Sequence, residues 1–133
     1  MKILLMGNPN VGKSVIFSRL TGIDVISANY PGTTVEYTEG RMKLSEEIAT
    51  VVDAPGIYSL DPSSKVEEVS SEIFSLGADV VVNVIDATNL ERNLNLTLQI
   101  LERGLPTVVA LNLWDAAKKK GIEIDVQALE ELL

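Results

Sequence analysis

The sequence predicts an α/β fold, a mainly parallel sheet with one antiparallel edge strand and helices on both faces. Three observations predict it. Short apolar runs alternate along the chain with stretches of helical periodicity. The run Asp79–Asp86 is largely β-branched, as a strand buried on both faces should be. A glycine-rich turn follows the first apolar run and opens the first helical stretch. Strands joined through helices need right-handed crossovers, which make them parallel.

The elements follow in order. Lys2–Met6 reads as a buried strand, and Lys13–Leu20 as a helix with Val15, Ile16 and Leu20 on one side. Thr21 to Thr34 holds turn formers, including Asn29-Tyr30-Pro31-Gly32, and reads as a long loop of the kind that carries function. Val35–Leu44 and Glu47–Asp53 read as strands joined by a tight turn at Ser45-Glu46. The first of this pair, reached through a loop and not a helix, is the expected antiparallel edge. Lys65–Leu76 places Val66, Val69, Ile73 and Phe74 on one helical face. Thr88-x-x-Glu91 is a capping-box pattern opening a helix through Leu101, with Leu90, Leu94, Leu98 and Leu101 on one face. Thr107–Leu111 reads as another buried strand. Lys118-Lys119-Lys120 before Gly121 suits a helix C-terminus, where cations favour the dipole. Asp125 suits the cap of a last helix, Val126–Leu133. The pattern calls for one more strand after it. The 133 residues therefore read as a single domain, 1–133, that lacks its last strand and helix as a C-terminally truncated piece of a longer protein.

Composition narrows the chemistry. There is no cysteine and no histidine, which excludes disulfides, thiolate nucleophiles, cysteine/histidine zinc sites and a Ser-His-Asp triad. Catalysis must use carboxylates, lysine, hydroxyls, backbone groups or a bound metal. The net charge of −8 argues against a nucleic-acid partner. No apolar run approaches the roughly 18 residues that cross a bilayer, so the expected product is a soluble, cytoplasmic piece.

The motifs then supply a reaction. Gly7-Asn8-Pro9-Asn10-Val11-Gly12-Lys13-Ser14 matches GxxxxGK[ST] in the required context, after a strand and opening a helix. Glycines let backbone N–H groups turn around a phosphate, and the helix N-terminus adds favourable partial charge. Lys13 is placed to reach the β- and γ-phosphates and Ser14 to ligate Mg²⁺; Val15 completes this stretch of contacts. Asp53-Ala54-Pro55-Gly56 follows an apolar strand. By itself D-x-P-G is a turn. Following the phosphate loop, it offers a carboxylate toward Mg²⁺ at Asp53 and an N–H toward the γ-phosphate at Gly56. Thr33-Thr34 ends the long loop, either as β-formers opening a strand or as a hydroxyl that completes the Mg²⁺ shell only when a γ-phosphate is present. Asn112-Leu113-Trp114-Asp115 follows the last apolar run. Asp115 reads as an acceptor for guanine N1–H and the exocyclic amine, a pair adenine does not offer, or as a cap on the next helix.

These four motifs in this order resemble a Ras-like GTPase domain of the P-loop NTPases. Asn29-Tyr30-Pro31-Gly32-Thr33-Thr34-Val35-Glu36 and Asp53-Ala54-Pro55-Gly56-Ile57-Tyr58-Ser59-Leu60 resemble the ferrous-iron transport protein B family more narrowly. The resemblance implies a cytoplasmic GTPase domain that binds GTP and GDP. In the full-length protein it precedes a helical regulatory domain and a membrane iron(II) channel, at the cytoplasmic face of the membrane. It implies a potassium ion held by Asn10, supplying positive charge where negative charge develops. The catalytic set it implies is Lys13, Asn10, Thr34 and Gly56, with Ser14, Thr34 and Asp53 on Mg²⁺. Homo-oligomerisation is compatible with it.

The departures are informative. Leu113 stands where the commoner N-K-x-D motif has lysine, a change this family often shows. The final guanine-contacting loop would lie beyond Leu133. Ile57, not glutamine, follows Gly56, so no side chain there orients the attacking water and slow, potassium-stimulated hydrolysis is expected. Neither switch loop carries an arginine, and Arg19 and Arg41 read as solvated charges. The chain shows no iron site of its own. The function expected is a guanine-nucleotide switch that regulates iron(II) transport. A soluble ribosome-assembly GTPase is the alternative, disfavoured by Leu113 and the acidic balance. An ATP-dependent kinase would want mobile lid arginines and a second substrate site. A degenerate, non-binding fold fails because the phosphate and magnesium positions are filled.

Overall fold

The computed structural model describes residues 1–22 and 24–133; Ile23, inside the expected long loop, lies outside the described residues. Gly7 ends the first strand, β1 (Lys2–Gly7), and the chain then turns into α1 (Lys13–Leu20). There follow β2 (Ile26–Asn29), β3 (Glu36–Leu44), β4 (Glu47–Asp53), α2 (Lys65–Ser75) and β5 (Val80–Asp86). A 3₁₀ turn, Ala87–Asn89, leads into α3 (Leu90–Glu102), then β6 (Thr107–Asn112), α4 (Trp114–Lys119) and α5 (Val126–Leu132).

Among the described residues the strands form one sheet in the order β2-β3-β4-β1-β5-β6. The pairs β1–β4, β1–β5 and β5–β6 are parallel, with Leu5 opposite Asp53 and Val84 opposite Ala110. The pairs β2–β3 and β3–β4 are antiparallel. Strand alternation sends successive side chains to opposite faces and so builds two cores. On one face Leu4, Met6 and Val52 meet Val69, Ile73 and Phe74 of α2 and Leu96 and Ile100 of α3. On the other, Ile3, Leu5 and Val51 meet Phe17 of α1. The parallel strands β1, β4, β5 and β6 end side by side at Gly7, Asp53, Asp86 and Asn112. The carboxyl ends of parallel strands are where open α/β sheets bind ligands.

Several expectations need correction. The long loop contains β2, so the antiparallel edge is two strands deep and β2, not the 35–44 strand, is outermost. Every residue of β2 is exposed, which removed the apolar signal that marks a strand. In α1 the buried positions are Lys13 and Phe17, while Val15 is 57% exposed. Val66 of α2 is also exposed. In α3 the buried face is Asn93, Leu96, Thr97 and Ile100, and Leu98 faces outward. Asn93 and Thr97 can be buried because both are hydrogen-bonded, Asn93 Oδ1 accepting from Asp86 N at 3.2 Å and Thr97 Oγ1 donating to Asn83 Oδ1.

The capping box is not formed. Asp86 instead caps the 3₁₀ turn, its Oδ1 accepting from Thr88 N at 2.8 Å and from Thr88 Oγ1 at 2.6 Å. Strand β6 pairs on one side only and is half-buried, with Val108 exposed. The last helix is capped as expected, Asp125 Oδ1 accepting from Ala128 N at 3.0 Å. The lysines do end a helix, α4.

Candidate functional site

The loop between β1 and α1 is shaped by backbone constraints. Gly12 has φ +82°, in the left-handed region that favours glycine, and a Cβ there would lie 2.3 Å from Asn112 Nδ2. Asn10 also has a positive φ, 64°. Asn is one of the side chains that tolerates that region. From β6, Asn112 Nδ2 donates to Val11 O at 2.8 Å, holding the loop from across the sheet. Val11 itself is buried. Asn8 is buried too, with Oδ1 lacking a hydrogen-bond partner.

The loop lines a cavity of about 350 Å³ with Asn8, Pro9, Asn10, Gly12, Lys13, Ser14 and Gly56. Thus most of the expected phosphate-contacting residues, Gly56 among them, share one wall. Lys13 is 9% exposed and its Nζ bonds both Asp53 Oδ1 and Ala54 O. A buried lysine needs such partners, because an unpaired charge at low dielectric is costly. Asp53 ends β4 beside Leu5, and Ala54 N donates to Leu5 O at 3.3 Å. Ile57 N donates to Gly7 O at 3.0 Å, so the D-x-P-G turn is fastened to the end of β1. Ile57 is 1% exposed and packs in the core, away from the cavity.

Thr33 and Thr34 lie elsewhere. They line a separate, shallow cavity with Gly32 and Lys65. Thr33 is spent on a turn: its Oγ1 donates to Tyr30 O at 2.9 Å and accepts from Val35 N at 3.1 Å, while Tyr30 N donates to Val35 O at 2.8 Å. Thr34 is exposed. Tyr30 anchors this turn on the core and stacks edge-on against Tyr37, with ring centroids 6.3 Å apart. Burial raises the Tyr30 phenol above its ordinary pKa, and the Glu72 carboxylate beside it adds to the rise.

Asn112 bonds the phosphate loop, Leu113 has φ 58°, and Asp115 lies exposed in the first turn of α4. Helix α4 packs against the Ala87–Asn89 turn. Val15 faces outward on α1. Among the described residues no group of three or more Asp or Glu side chains comes together as a metal site. No described helix is long and apolar enough to cross a membrane.

Sequence reasoning missed the polar residues that support this site. Asn83, fully buried in β5, donates from Nδ2 to Met6 O at 3.2 Å and accepts from Thr97. Its signal was available: an amide inside a β-branched run must find partners. Gln99, Asn95 and Arg92 on α3 hold the segment after Gly56, and no motif marks them.

Comparison with known proteins narrows the reading. The family model described as "Ferrous iron transport protein B" matches residues 1–133. The Fe(2+) transporter FeoB of Salmonella typhimurium is 46% identical over the whole chain, which spans 18% of that protein. The solved cytosolic domain of L. pneumophila FeoB superposes with a TM-score of 0.95 at 45% identity, covering 100% of this chain and 53% of that one. A GDP-bound mutant of the S. thermophilus FeoB G-domain gives 0.91 at 43% identity, covering 98% and 50%.

Proposed function

Because the chain belongs to the ferrous iron transport protein B family, as its N-terminal GTPase domain, we propose that it is a guanine-nucleotide switch that hydrolyses GTP slowly. In the longer protein it would act from the cytoplasmic face on a membrane domain that passes iron(II). The observation that carries this reading is the arrangement of Lys13, Ser14 and Gly56 around one cavity, with Asp53 paired to Lys13.

Lys13 and Asp53 have complementary tasks. A nucleotide's phosphates give Lys13 a new anionic partner, and this frees the Asp53 carboxylate for a cation shell. The donors fit Mg²⁺, a hard cation that takes oxygen ligands: the Ser14 hydroxyl on the cavity wall and the Asp53 carboxylate behind it. Ser14, Asp53 and Thr34 would hold Mg²⁺, and Asn10, on the same wall, would hold potassium. When bound, the cations supply positive charge against the phosphate oxygens. Thr34 lines a different cavity, so its part requires the Tyr30–Val35 turn to move. The first switch is then the element that senses the γ-phosphate.

With Ile57 turned into the core, no side chain after Gly56 aligns water, which supports slow chemistry and an output through conformation. Asn112 holds the phosphate loop, leaving Asp115 to read the base. Titrating GDP and ADP with Mg²⁺ into the chain tests the proposal, with Trp114 fluorescence and calorimetry as readouts. Binding of GDP but not ADP is expected. Equal binding of the two would defeat the guanine assignment of Asp115.

A further inference from the structure

The segment after Gly56 is not a free loop. Gln99 Oε1 accepts from Leu60 N at 2.7 Å and from Ser59 Oγ at 3.2 Å. Its Nε2 donates to Ser59 Oγ at 3.0 Å and to Asp61 Oδ2 at 3.4 Å. From α2, Ser71 Oγ donates to Leu60 O at 2.7 Å. The Arg92 guanidinium lies 4.4 Å from the Tyr58 ring centroid, a cation–π contact.

Gly56 is fixed from both sides. Ser70, fully buried, donates from Oγ to Pro55 O at 2.8 Å, and Ile57 N is bonded to Gly7 O at 3.0 Å. A Cβ on Gly56 would stand 2.9 Å from Pro9 Cα, so its backbone rests directly on the phosphate loop.

We propose that Gln99 is a positioning residue for the γ-phosphate: by locking residues 59–61 onto α3 it holds the Gly56 N–H ready. The inference rests on the GTPase reading above and deepens it. Preorganised donors cost no ordering when the ligand arrives, so the lock raises affinity only for the nucleotide that reaches Gly56. GDP has no γ-phosphate and does not sense it. Gln99 does not touch the nucleotide; it acts through Leu60 and Ser59. The nucleotide-dependent movement is thereby left to the first switch.

The test is calorimetric titration of GDP and of a non-hydrolysable GTP analogue, both with Mg²⁺, into the wild type and variants. Gln99→Leu should keep the GDP affinity and lose about tenfold in affinity for the analogue, the scale of a lost hydrogen-bonded restraint. Gln99→Glu keeps the acceptor but faces Asp61, and adding Asp61→Asn reverses that pair and should restore the analogue. If Gln99→Leu leaves the ratio of the two affinities at the wild-type value, whether both hold or both fall, Gln99 is only structural and the proposal fails. Should that variant not fold, Ser71→Ala removes only the bond to Leu60 O and carries the same comparison. A wild type that binds neither nucleotide defeats the GTPase reading. Amide exchange at residues 59–61 then still scores the lock: faster exchange in Gln99→Leu supports it, and unchanged exchange overturns it.

Discussion

Asn112 and Val11 are 101 positions apart in sequence, yet the Asn112 Nδ2 donates to the Val11 carbonyl at 2.8 Å. The bond ties the end of β6 to the loop between β1 and α1. On the proposed reading, Asn112 would therefore serve the phosphates as well as any base.

Asn112→Ala should weaken inorganic pyrophosphate and GDP together, because pyrophosphate has no base to lose. The broken bond should also cost about 1 kcal/mol of stability. Asp115→Ala, by contrast, should weaken GDP and spare pyrophosphate. Competition titrations of both ligands into both variants check this. A pyrophosphate affinity untouched by Asn112→Ala would show that the loop holds its shape unaided.

Lys13→Ala should abolish nucleotide binding and still fold, at lower stability, because it strands the Asp53 carboxylate, 12% exposed, without its cation. Removing one partner of a buried pair typically costs about 3–5 kcal/mol. Adding Asp53→Asn should recover a good part of that loss without recovering binding. Denaturant melts of the two singles and the double form the cycle that isolates the pair. A Lys13→Ala protein as stable as the wild type would mean that the ion pair contributes nothing net.

How much of this was legible in the chain varies by element. Strands β1, β4 and β5 are core strands whose apolar runs end in glycine or aspartate, so their course and their ends could be read. Strand β2 could not be read, because Ile26–Asn29 is short and exposed and exists through pairing with Glu36–Glu39. The face of α3 misled for a related reason. Leucines look like core, but Asn93 and Thr97 take buried places because Asp86 and Asn83 satisfy them. The loop between β1 and α1 was legible as a tight turn because local geometry dictates its residue types. Gln99 was not, since its role comes from what the fold lays across it.

Gly12→Ala tests the tight approach at the mouth of the loop. Its Cβ would need φ +82° and would press on the Asn112 amide. The strained backbone alone costs about 1–3 kcal/mol. The displaced amide should also release Val11, so nucleotide affinity should fall along with the melting temperature. The mutation Gly32→Ala is the control: it shares a positive φ of 78° but meets nothing within 4 Å, so it should lose stability and keep GDP affinity. Equal losses of affinity in the two variants would trace the effect to strain, not to the Asn112 contact.

Tyr30 gives the fold a defined alkaline response. Its phenol sits above the ordinary tyrosine value, because burial and the nearby Glu72 carboxylate oppose the phenolate. A raised pKa in an acid means that the folded state keeps its proton after the unfolded state has lost it. The stabilisation is therefore complete below about pH 10, the unfolded value, and declines as pH rises toward the folded value. Tyr30→Phe should remove this part of the decline while keeping the ring packed against Tyr37. Glu72→Gln should shrink it by removing the neighbouring charge. Melts of the three proteins from neutral pH to about pH 11 give the comparison. Because the Tyr30 ring packs on the core beneath the turn that carries Thr34, ionising its phenol should loosen that turn in the same pH range. Identical alkaline slopes in wild type and Tyr30→Phe would show that this phenol does not anchor the turn.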